Sequence, residues 1–184
     1  VPPAGTLFTH LTNDLAFTVS NVGQYGFGDS SAYAASGAGL RYRNGRNLLY
    51  EAGLVVGRNS LQLASGVRDS VGVSYYSDFR GIGAPAFRQS AAGAQALEIM
   101  CDDRAADIPI PVTIRQTTTS FLTVAEAGFV ILEFAIRNAS VEPITNLRLG
   151  FFSDLDLTGP GSADIASYDA SRRLYAQSAA DAQL

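Results

Sequence analysis

The sequence predicts an all-β protein, an antiparallel β-sandwich of about nine or ten strands with little or no helix. Three observations predict it. Apolar residues recur with period two in several stretches, as strands with one buried face require. Gly, Pro, Asn and Ser clusters interrupt the chain at short intervals. No stretch keeps a helical apolar period across several turns. The 184 residues are 47% hydrophobic, a length and composition that fit a single domain spanning 1–184. Such a chain buries roughly 70% of its unfolded surface, so its core needs no disulfide.

In chain order, Leu15, Phe17 and Val19 alternate with Ala16, Thr18 and Ser20, which predicts a half-buried strand. Gly23 to Gly39, with Tyr25, Phe27 and Tyr33 among its glycines, reads as a long surface loop with aromatic anchors. Asn44-Gly45 tolerates the positive φ of a two-residue turn, so Leu40–Arg43 and Leu48–Val56 are expected to form a hairpin, continued by Leu61–Ala64. Val71–Tyr76 is a further short strand. Ala91–Cys101 has helical propensity in its alanines, but Glu98-Ile99-Met100-Cys101 leading into Asp102-Asp103-Arg104 favours a strand. Ile110, Val112 and Ile114 start another, which continues through threonines to Leu122. Gly128 to Leu157 carries two apolar runs around a polar segment containing Pro143, expected to be a long-loop hairpin at the centre of the fold. A last strand is expected around Arg173–Gln177.

Composition excludes several functions. The net charge of −4 argues against a nucleic-acid partner, which needs clustered cations. All 13 basic residues are arginine, so no lysine amine exists for Schiff-base chemistry. The longest apolar run falls well short of the roughly 20 residues that span a bilayer. Cys101 is the only cysteine and is expected to be a small buried hydrophobe. His10 is the only histidine. It is expected to be a surface or partly packed imidazole near a frayed N-terminus, without the partners of a catalytic triad or a zinc site.

The acidic end of the last apolar run is the candidate for chemistry. Asp154 and Asp156 lie two apart on one face of an extended strand, and Asp164 follows across a Gly/Pro/Ser loop. Calcium takes several hard oxygen ligands from such clusters, so Asp154, Asp156 and Asp164 are its candidate ligands. The alternative is that these aspartates hold turns. A two-carboxylate glycan hydrolase is the enzymatic reading of Asp154 and Asp156. Tyr25, Tyr33, Tyr75 and Tyr76 are candidates for stacking on sugar rings, although tryptophan is absent.

The run FVILEFAIRNASVEPITNLRLGFFSDLDL (129–157) resembles a segment in which an extended "fvi-e-y-i-N" strand leads to "l-v-G-l-f-x-D-x-D". YRNGRNLLYEAGLVVG (42–57) resembles the glycine-flanked hairpin of the same proteins, and Asp78-Phe79 and DDRAADIPIPVTIRQTTTSF (102–121) have counterparts there too. Such segments occur in the β-rich accessory regions of exported bacterial subtilisin-like serine peptidases and related large secreted proteins. The resemblance implies a non-catalytic accessory module, extracellular or at the cell surface, excised from a longer exported polypeptide and packing on a neighbouring domain. No peptidase catalytic residue carries over. A carbohydrate-binding module, with or without calcium, is the alternative.

Overall fold

The computed structural model describes residues 5–26, 37–67, 78–90, 93–123, 125, 127–158 and 164–179. Among them no helix occurs, and all strand pairing is antiparallel. The all-β expectation holds. The strand count differs, with fourteen strands in three sheets among the described residues against nine or ten expected. The surplus comes mainly from strands of two to four residues, too short to show a period. The expected strand Val71–Tyr76 lies outside the described residues.

The larger sheet has β1 (Leu7–Leu11), β2 (Leu15–Ser20), β3 (Gln24–Tyr25), β5 (Leu49–Gly57) and β12 (Arg148–Leu155) in that order, with β4 (Leu40–Tyr42) on β2 and β6 (Leu63–Ser65) on β5. The second sheet has the order β11 (Val130–Asn138), β10 (Val112–Phe121), β9 (Ala94–Asp102) and β7 (Arg80–Gly81), with β8 (Ala86–Gln89) also on β9. A separate hairpin joins β13 (Asp164–Asp169) to β14 (Leu174–Ala179). Ala91–Cys101 resolves as the strand β9 in its described part, since its alternate residues Leu97, Ile99 and Cys101 are buried.

The central hairpin expected over Gly128–Leu157 is overturned. Its two strands exist, but β11 pairs with β10 and β12 pairs with β5. The polar segment between them carries the chain from one sheet to the other. Period-two patterning places each strand without naming its neighbour, and a loop of this length does not fix a pairing. The Asn44-Gly45 turn is present but shifted by one residue. Arg43 and Asn44 take the positive φ values, 48° and 56°, and the Gly45 amide donates to Tyr42 O at 2.9 Å. The hairpin it closes is rudimentary, because β4 forms its ladder with β2 and meets the incoming chain through the Arg41–Asn47 bridge.

Both larger sheets contribute to one core. Leu15, Phe17, Val19, Leu54 and Val56 come from the first, and Leu97, Ile99, Val112 and Ile114 from the second. The inner face of β10 changes character along its length: Val112 and Ile114 are followed by buried Gln116, Thr118 and Ser120. A buried polar group must find a partner or lose its hydration uncompensated. Tyr25 O–H donates to Gln116 Oε1 at 2.5 Å, Gln116 Nε2 donates to Thr118 Oγ1 at 2.8 Å, and Ser120 Oγ is hydrogen-bonded to His10 Nδ1 at 2.9 Å. Two of these three bonds bridge the sheets. The Tyr25 ring also stacks parallel to Phe17, with centroids 6.2 Å apart. Gly23 precedes β3 at φ 74°, and a Cβ there would lie 2.7 Å from the Phe79 ring, so glycine is required at that turn.

A Tyr25→Phe variant should lose about 1 to 3 kcal/mol of stability, because Gln116 Oε1 is left buried without its donor. Urea denaturation followed by circular dichroism measures the loss. A variant as stable as the parent would show that the bond contributes nothing net.

Candidate functional site

The edges of the two sheets come together along β11 and β12, and an apolar groove of about 320 Å³ opens between them. Leu15, Phe17 and Leu49 form its floor, Val130 and Leu132 one wall, and Phe151 the other. The remaining lining is apolar apart from glycine and Ser153, and no charged side chain lines it. Such a groove takes an aliphatic or aromatic group and offers almost no polar anchoring. Phe151 meets the Tyr25 ring edge-on at 4.9 Å, so the wall is tied to the core.

β12 forms a ladder with β5 and no other described strand. Side chains on both its faces are wet: Phe151 is 43% and Phe152 46% exposed, and Leu149 is similar. A second cleft of about 590 Å³ separates Phe151, Phe152 and Leu155 from Tyr175, Ala176 and Gln177 of the β13–β14 hairpin. Gln177 Nε2 donates to Leu155 O at 2.6 Å and fixes the hairpin at the end of β12. On the hairpin itself, Ile165, Tyr168, Leu174 and Tyr175 are exposed, and the two tyrosine rings pack together at 4.7 Å. Apolar exposure thus runs from the groove across β12 and onto the hairpin.

The acidic residues at the end of β12 have mixed roles. Asp154 lies opposite Glu51, and the register shifts before Leu155, whose partner is Leu49. β12 stops at Leu155, and the Asp156 amide donates to Leu48 O at 3.0 Å. Asp164 uses one carboxylate oxygen to accept the Leu157 amide at 2.8 Å and the other to accept the Thr158 hydroxyl at 3.0 Å. It holds the turn leaving β12, the alternative role set out from the sequence. Among the described residues no three carboxylate, imidazole or thiol groups converge as a metal site would require.

Two aromatic and imidazole expectations are corrected. Tyr25 is not a loop platform for sugars: it sits in β3, is 1% exposed and spends its hydroxyl on Gln116. Burial, followed by the nearby Cys101, raises its phenol well above the ordinary value. The glycine-rich sequence concealed a two-residue strand at the sheet centre. Tyr33, Tyr75 and Tyr76 lie outside the described residues. His10 is not a surface group but is 3% exposed between the sheets, since β1 docks on β2 and turns this side chain toward Ser120. Thr9-His10-Leu11 carries no periodic signal from which that burial could be read.

Sequence reasoning also missed a polar cluster at the far end of the second sheet. Asp103 is fully buried and accepts the amides of Ile110 and, at 3.0 Å, Val112, so it pins the 103–112 connection. Asp102 is paired with Arg80 at 2.9 Å and Arg104 at 3.5 Å. Both aspartates are thus engaged, Asp103 by two backbone amides and Asp102 by two arginines. Cys101 is buried as expected, and burial first, then Asp102 and Asp103, push its thiol up to about 12.

Comparisons with protein-family models, curated proteins and solved structures returned no match.

Two measurements follow from this geometry. Cys101 in the native protein at pH 8 should react with iodoacetamide on the order of 1000-fold more slowly than in urea, because a thiol held that high is almost entirely protonated. Equal rates would place it in solvent. Asp164→Ala should cost roughly 1 kcal/mol by thermal denaturation, through loss of its two turn bonds. A loss that appears only when calcium is present would instead make Asp164 a cation ligand.

Proposed function

We propose that this chain is a non-catalytic β-module of a larger exported polypeptide, which packs its open side against a neighbouring domain. One observation carries the reading: apolar side chains are exposed continuously from the β11–β12 groove over both faces of β12 and onto the β13–β14 hairpin. A stretch of this kind on a soluble chain marks a surface that is covered in use. The groove accepts apolar side chains and lacks the convergent polar groups that orient a substrate. The resemblance of 129–157 and 42–57 to accessory regions of subtilisin-like peptidases supplies the parent class. The same resemblance supplies the extracellular or surface location.

Calcium held by Asp154, Asp156 and Asp164 is the cofactor this reading would take. A glycan-binding reading now draws on the exposed Tyr168–Tyr175 pair in place of Tyr25.

Amide exchange of the chain inside its full-length parent and in isolation tests the packing reading. The amides of β11, β12 and the β13–β14 hairpin should be protected at least several-fold more in the parent, while β9 and β10 stay equal. Equal exchange everywhere would overturn it. Glycan-array binding lost on Tyr175→Ala would favour the sugar module. Hydrolysis lost on Asp154→Asn would favour the enzyme. A fall in melting temperature with EDTA would add calcium to whichever reading stands.

A further inference from the structure

β1 is the outermost described strand of the larger sheet and, among the described strands, pairs only with β2, from Leu7 opposite Ser20 to Leu11 opposite Ala16. His10 is its one buried residue. The imidazole lies between the sheets, with Nδ1 bonded to Ser120 Oγ and Nε2 buried without a partner. Phe17 is its cross-strand neighbour on β2, a strand with no charged residue. On β10 the inward residues near it are Ser120 and Thr118. The only charged residue of that strand, Arg115, is exposed on the opposite face. Asp14, in the β1–β2 turn, is paired with Arg43 at 3.3 Å. Ala127 offers its carbonyl, which accepts the Thr12 hydroxyl. Among the described residues, therefore, no carboxylate faces the ring to neutralise an imidazolium.

We propose that β1 is an acid-released strand: protonation of His10 drives its ring from between the sheets and detaches Leu7–Leu11, while the remaining ladders stay paired. The geometry supplies the force. A neutral ring leaves one buried nitrogen unsatisfied. A protonated ring adds a charge and a donor on Nε2 with no acceptor in reach among the described residues, and water relieves both. β1 is otherwise held by its ladder with β2, the partly buried Phe8, the Thr9–Thr18 hydroxyl contact at 2.8 Å and flanking bonds of Thr6, Thr12 and Asn13. Burial holds His10 below the ordinary imidazole range. The sign follows: the docked strand is fully stable above the unfolded-state value of about 6.5, loses stability as the pH falls below it, and levels off beneath the folded-state value.

Amide exchange of the whole chain between pH 7.5 and 5, corrected for intrinsic rates, tests this. The opening constant of Leu7–Leu11 should rise about tenfold per pH unit below 6.5 until it levels, with β9 and β10 unchanged. His10 is the only histidine, so its ring proton signal reports its titration directly and should follow the release. His10→Gln and His10→Phe should each abolish the rise. The proposal is overturned if β1 shows no rise, if β1 and β10 open together, if either folded variant keeps the wild-type pH dependence, or if ring titration and release occur at different pH.

Discussion

The inner face of β10 sets the terms on which the two sheets meet. An apolar strand can slide over an apolar sheet at small cost, but Gln116, Thr118 and Ser120 cannot be buried against hydrocarbon. Tyr25 and His10 answer Gln116 and Ser120 from the other sheet, and each bond is lost if the sheets shift by a few ångströms. The polar half of β10 thus gives the sheets a fixed alignment. Hydrophobic burial at Leu54, Val56, Ile99 and Ile114 supplies most of the driving force without specifying that alignment. The short strands β1 and β3 matter because they carry the two partners.

That alignment also explains where the molecule is left open. With β10 anchored over β1 and β3, its neighbour β11 faces the region of β5 and β12, where Val130 and Leu132 stand across a groove from Phe151. The core is closed by hydrogen-bonded side chains on one side and incompletely closed by apolar ones on the other. The first side carries the orphaned nitrogen of His10, the second the exposed apolar side chains around β12. Phe17 joins the two features, as the cross-strand neighbour of His10 and as part of the groove floor.

Legibility in the sequence followed the length of each element. β2, β10, β11 and β12 announce themselves through alternation over five or more residues, β5 through the Asn44-Gly45 turn before its apolar run, and β9 through the apolar residues near its end. β3, β7 and the bridge at Asn47 are set by tertiary contacts and leave no periodic trace. Partner choice was the harder problem. Nothing in Asn138–Asn146 distinguishes a loop that folds back from one that changes sheets. The same limit applied to the site. Asp164 was visible as an acid beside a loop, and its role at the 157–158 turn is a local property that turn chemistry anticipates. His10 and Tyr25 act through Ser120 and Gln116, about a hundred residues away in sequence, which no local pattern encodes.

The change of sheet between β11 and β12 bears on how the chain reaches this structure. β9, β10 and β11 pair with near neighbours in sequence, whereas Arg148 pairs with Gly57 roughly ninety residues upstream, a separation that makes loop closure slow. During synthesis the edge of β5 stays unpaired until almost the whole described chain has emerged. For that interval Leu49–Gly57 is an apolar strand with an open edge, the kind of segment that templates aggregation. Assembly is therefore paced by its last long-range ladder, and the N-terminal sheet is in the care of whatever shields nascent chains until β12 arrives.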